Sequence, residues 1–232
     1  MLLGLGFAFG GGDFKVMYGI LPCIATFAGV YFFLAKKTFN QVQAVMMTAQ
    51  AQLQGGSGNQ KQQKKLVSNA VETMKTAYPL AKKQFFIKPQ IDGQIGSLLF
   101  MSKRFNEAEP YLQKAFKRNW TPHAMLAVLY YKKDKIDLMK STFETALSST
   151  KKEALLWNLY AFCLWKKKRP DEAIEVLNRA VEHLDNDEKT QNNLKALKNK
   201  KKMKMRGWKM LWYQFHLDTP PQAKQRMQFR NR

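Results

Sequence analysis

A five-residue template of small and large apolar residues occurs three times in this chain with the same internal spacing. The sets are Gly96, Leu99, Ala108, Leu112, Ala115; then Ala127, Tyr130, Met139, Phe143, Ala146; then Ala161, Leu164, Ala173, Leu177, Ala180. Each runs in steps of 3, 9, 4 and 3, and the sets are offset by 31 and then 34 residues. Steps of three and four place residues on one helix face; a step of nine crosses a turn between two helices. The small residue of each first helix (Gly96, Ala127, Ala161) marks where two helices cross closely, and the large residues fill the core between them. A period of about 34 residues with this pattern marks a stacked helix–turn–helix repeat.

The punctuation agrees. Thr121-Pro122 reads as an N-cap followed by proline at the first helical position. Pro170 precedes Asp171-Glu172, a helix start with acids near the positive end of the dipole. The third unit, Trp157-Asn-Leu-Tyr160-Ala161-Phe-Cys-Leu164 followed by Lys168-Arg-Pro170-Asp-Glu-Ala173-Ile-Glu-Val-Leu177-Asn-Arg-Ala180, resembles the tetratricopeptide repeat family. Arg104-Phe-Asn-Glu-Ala108 has the family's usual turn into the second helix. The resemblance extends over about Pro89 to Asp187 and implies a module that docks other proteins. Chaperone-binding members clamp a terminal carboxylate with Lys, Asn and Arg, whereas Gly93 and Ser97 occupy that face of the first repeat here, so the clamp is incomplete.

The amino-terminal part predicts a second feature. Val16 to Leu34 is 19 residues without a charge, long enough to cross a bilayer core as a helix. Tyr18 and Tyr31-Phe32-Phe33 sit where interfacial aromatics would, and Lys36 and Lys37 place the carboxyl side in the cytoplasm. The predicted fold is therefore all-α: a solenoid of about three tetratricopeptide-like repeats preceded by an N-terminal transmembrane helix. The predicted localisation is a single-pass membrane protein with a cytoplasmic repeat domain.

The organisation follows. Residues 1–15 are apolar and Gly-rich, 16–34 the membrane helix, 35–54 a juxtamembrane helix, and 55–65 a flexible linker. Residues 66–187 form the repeat domain, clearest over 89–187; 188–206 form a basic capping helix and 207–232 an aromatic and basic C-terminal segment. Phe32, Ala35, Phe39, Val42, Met46, Ala49 and Leu53 recur in heptad steps, so 32–53 is a candidate seam for a short coiled coil and homo-oligomer.

The formal net charge is +22. From Glu188 to Arg232 there are 13 Lys and Arg against 2 acids, a net of +11, half of the total. Lys198, Lys200, Lys201, Lys202, Lys204 and Arg206, with Trp208, Trp212 and Phe215, are the candidate anionic-surface residues. Trp208, Leu211, Trp212 and Phe215 fall at helical spacing. That face has three readings: core folded back on the repeats, a membrane-interface contact with anionic lipid, or a nucleic-acid grip. No recognised nucleic-acid-binding motif accompanies it.

The outward residues of the first helices are the candidate partner-binding groove: Ser97, Phe100 and Met101; Ala124, Val128, Tyr131 and Lys132; Asn158, Phe162, Trp165 and Lys166. Aromatics with lysines suit a peptide of acidic character. No catalytic constellation emerges. His123, His183 and His216 lie far apart without metal-ligand spacing. Cys23 and Cys163 lie in separate segments, so no disulfide is expected. The reading is a membrane-anchored scaffold, without enzymatic activity, metal or cofactor, that docks a protein or peptide and helps assemble a membrane-associated complex. The alternatives are a basic nucleic-acid binder and an interfacial lipid-binding protein.

Overall fold

The computed structural model describes residues 13–54, 59–82 and 86–220. The expected apolar N-terminus lies outside them except for residues 13–15, as does the end of the C-terminal segment from 221 onward. All regular structure among the described residues is helical. The chain divides into two compact units, Met1–Ile91 and Asp92–Arg232.

In the first unit, α1 (Asp13–Gln54) packs against α2 (Gln60–Lys75), followed by the short α3 (Tyr78–Ala81). Asn59 caps α2 by accepting from the Gln62 amide at 3.1 Å, so the helix starts inside the stretch expected as linker. Val42 and Ala49 of α1 are buried, as are Ala70, Val71 and Met74 of α2. The Gln52 and Thr73 side chains exchange hydrogen bonds at 3.2 and 3.3 Å. Part of the expected oligomer seam is thus used within the chain, while Phe32 and Phe39 stay exposed.

The expected transmembrane helix at 16–34 is corrected here, and the single-pass membrane localisation with it. Among the described residues no helix is long and apolar enough to cross a membrane. The apolar run is not a bounded span but the first half of α1, which carries on through Lys36, Lys37, Gln41, Gln43 and Gln50. Pro22 interrupts the helical ladder, and Thr26 returns a hydrogen bond to its carbonyl at 2.8 Å.

The second unit is built from paired helices: α4 (Ile87–Met101, which begins at the end of the first unit) with α5 (Phe105–Leu112), α6 (Trp120–Lys132) with α7 (Ile136–Ser149), and α8 (Ala154–Lys166) with α9 (Pro170–His183). Then comes α10 (Glu188–Lys198). Every residue of the threefold template is buried. The turn within each pair has the same form. Lys103, Asp134 and Lys168 take φ of 60°, 58° and 60°, and the next amide (Arg104, Lys135, Arg169) bonds back to Leu99, Tyr130 and Leu164. This is the left-handed closure that satisfies the last carbonyls of a helix. Helix α6 starts two residues ahead of the expected Thr121 cap, because Asn119 takes the cap position and accepts from the Thr121 amide at 3.3 Å.

Gly96 shows why the template needs a small residue. A Cβ there would lie 2.8 Å from Leu112 Cδ2 and 2.9 Å from the Leu112 backbone nitrogen. The side chain could rotate; the backbone cannot. Gly96→Ala is expected to push α4 and α5 apart and cost about 1–3 kcal/mol. A urea-unfolding midpoint unchanged from the parent would contradict this.

Candidate functional site

Helices α4, α6 and α8 present a common face, and a C-terminal strap lies across it. The strap leaves α10, runs without regular secondary structure through 201–205, makes one 3-10 turn at Arg206–Trp208, and ends in a four-residue helix, α11 (Met210–Tyr213), and the turn that follows. Its sequence explains which side chains turn inward. Lys202-Met203-Lys204-Met205-Arg206 alternates, and an extended backbone sends alternate side chains to opposite sides. Met203 and Met205 are buried while Lys202, Lys204 and Arg206 are exposed.

A buried amide network fixes the strap at its start. Asn158 of α8 donates to Thr190 Oγ1 at 2.7 Å and to the Ala154 carbonyl at 2.8 Å. Thr190 donates to Asp187 Oδ2 at 2.6 Å, and Asn193 Nδ2 donates to Asn158 Oδ1 at 2.9 Å. Asn193 Oδ1 then accepts the Lys204 amide at 2.7 Å. Asn158, Thr190 and Asn193 are all buried. A buried amide is tolerated only with its partners in place, and here one side chain reads the main chain of the strap.

Further on, Trp212 meets Phe162 edge-on, ring centroids 4.8 Å apart. Trp212 and Phe215 are 1% and 0% exposed. His216 reaches the first repeat: its Nε2 lies 3.0 Å from the Met101 carbonyl oxygen, and its ring 5.7 Å from Phe100. Lys132 of α6 donates to the His216 carbonyl at 2.9 Å. The strap thus touches α10, α8, α6 and α4, against the order of the repeats.

Of the candidate groove residues, Phe100, Ala124, Val128, Asn158 and Phe162 are buried. Ser97, Tyr131 and Trp165 are half-buried, and Met101, Lys132 and Lys166 remain exposed. Lys166 Nζ sits 5.4 Å from the Phe162 centroid and 5.0 Å from that of Trp165. Of the candidate anionic-surface residues, Lys198, Lys200, Lys201, Lys202, Lys204 and Arg206 are exposed and Trp208 is half-buried. Lys189 Nζ stands over the Trp208 ring at 5.3 Å. Trp212 and Phe215 are withdrawn into the repeats. The face expected from their helical spacing does not form, because Lys209 at φ 50° separates Trp208 from α11, and Leu211 points outward.

Titratable groups follow burial. The Cys163 thiol is fully buried and pushed up by desolvation, which leaves it protonated and unreactive. Arg206, 3.2 Å from Asp218, holds that carboxyl below the usual carboxylate range. Among the described residues no cluster of His, Cys, Asp and Glu could hold a metal ion.

Desolvation lowers the pKa of both His123 and His216. Both rings then stay neutral in the fold at pH values where the unfolded chain takes up protons. Well above pH 6.5 neither state is protonated and stability does not change with these rings. As pH falls below that, the unfolded state gains protons first and stability drops. The Tm should therefore fall between pH 7.5 and 5.5, and fall less in His123→Gln. A flat profile would refute the assignment.

Sequence reasoning missed Asn193, Met203, Met205 and His216 as contributors. The alternation from Lys202 to Arg206 was the available signal for the methionines; nothing local distinguishes Asn193 from its neighbours.

A family model for the tetratricopeptide repeat matches residues 154–182, which are α8 and nearly all of α9. The match supports a tetratricopeptide-like family and a protein-interaction scaffold. No curated protein matches the chain.

Proposed function

We propose that this chain is a docking module that holds a partner polypeptide on the face formed by its repeats and C-terminal strap. The observation that carries this reading is the strap itself. The helices already bind a separate segment of polypeptide, using Asn193 of α10 for the main chain and Phe162 of α8 for an aromatic side chain. Pairing a main-chain contact with side-chain pockets is how repeat and groove proteins recognise peptides. The family match at the third repeat points the same way.

The nucleic-acid alternative has the exposed lysines in its favour, but two of its candidate platforms for bases are out of reach. Stacking needs open aromatic faces, and Trp212 and Phe215 are buried.

The test is selection from an unbiased dodecapeptide display library on the full-length protein. The expected result is enrichment of a shared motif, with binding lost in Trp165→Ala combined with Lys166→Glu. Failure to enrich any peptide whose binding depends on this face would overturn the proposal.

A further inference from the structure

A pocket of about 750 Å³ lies where the strap crosses α8 and α10. Neither the repeats nor the strap forms it alone. Phe162 and Trp165 contribute from the repeats, and Met203, Met205, Trp212 and Leu217 from the strap. Five cations surround this apolar lining: Lys166, Lys189, Lys202, Lys204 and Arg206. Asp218 is the single acid among the lining residues, and it is already engaged by Arg206. Such a volume is of the size that holds a few residues of a ligand, and a mostly apolar lining with a few charged groups is the usual make-up of a binding pocket.

The geometry points to an acidic peptide segment as the occupant, with one large apolar side chain seated among the rings and Asp or Glu on either side meeting the lysines. This rests on the docking proposal and names the chemistry of its partner. Charge complementarity selects the acids: a cationic cleft with low-dielectric walls concentrates an anionic ligand. The lining selects the apolar residue, because lysines alone would leave the rings without a counterpart. Lys166 already covers a face of both Phe162 and Trp165. A nucleobase would have to displace that cation in order to stack, whereas an aliphatic or aromatic side chain can enter against ring edges and methionine sulfur. These contacts favour a peptide over single-stranded nucleic acid.

The decisive measurement is fluorescence anisotropy on the full-length protein with four probes. Two are labelled octapeptides with a central Phe, flanked by Glu in one and by Lys in the other. The third has Glu flanks and a central Ser. The fourth is a ten-nucleotide oligothymidylate. The expected result is that the Glu–Phe peptide binds at least tenfold tighter than the other peptides and than the oligonucleotide. Lys166→Glu and Lys204→Glu should each weaken it about tenfold, while Lys117→Glu, on the exposed link between α5 and α6, should not. Binding indifferent to the central Phe, insensitive to Lys166→Glu and Lys204→Glu, or weaker than oligothymidylate binding would overturn the inference. Steep salt dependence of the oligonucleotide complex would identify phosphate attraction as the source of the last result. Peptides enriched from the unbiased library without acids would sink this inference and leave the docking proposal standing. No enrichment at all would sink both.

Discussion

Trp212→Ala is expected to lower the unfolding free energy by about 3–5 kcal/mol, the cost of truncating a fully buried aromatic side chain. The residue sits in a helix of only four residues, too short to be stable without packing. Its position therefore depends on contact with the repeats, above all the edge-on ring of Phe162. Removing the indole leaves a cavity at the middle of the strap and exposes Phe162 to water. Trp212→Phe keeps a ring against Phe162 and should lose less than half as much. Urea unfolding followed by far-UV circular dichroism distinguishes these outcomes. Equal midpoints for Trp212→Ala and the parent would mean that the strap does not pack as described.

Asn193→Ala is the second large effect, with an expected loss of about 2–5 kcal/mol. The substitution removes no bulky side chain; its cost is the groups left behind. Lys204 loses the acceptor of its amide, and Asn158 Oδ1 loses its donor inside the core. Each stranded buried group costs about 1–3 kcal/mol. Asn193→Asp keeps an acceptor for Lys204 but sets a carboxylate oxygen against the Asn158 carbonyl, so it should not rescue. A double-mutant cycle with Asn158→Ala isolates the pair. A coupling of about 1–2 kcal/mol is expected for side chains in one network; zero coupling would show that they act independently.

The repeats were legible because their signal is redundant. Gly96, Ala127 and Ala161 must be small wherever two helices cross, and Leu112, Phe143 and Leu177 must be large beside them. No single substitution hides such a pattern. The strap was not legible in the same way. Trp208, Leu211, Trp212 and Phe215 are spaced like one helix face, yet the positive φ at Lys209 breaks the run, and a lysine does not announce that conformation. The groove residues were read from each helix alone, and periodicity within a helix cannot say that a distant segment covers it. That is why Phe100 and Asn158 appear as outward positions in the sequence and as buried ones in the fold. The apolar run at 16–34 failed for a related reason. A window of apolar residues measures composition, while the helix it belongs to is 42 residues long and turns polar after Ala35.

His216 lies 115 residues beyond Met101, whose carbonyl it meets. In an open solenoid each repeat senses only its neighbours, and the ends fray first. Here the last described segment is laced to the first repeat, so the two ends gain and lose order together. Amides of α4 and α5 should then exchange on the same timescale as those of the strap, as one cooperative unit. During synthesis the first repeat is made long before the segment that covers it, and closing so long a loop is slow. A ribosome stalled before Met203 would hold a chain whose Phe100 and Phe162 still face water, which makes the emergence of residues 203–216 the event that covers those rings.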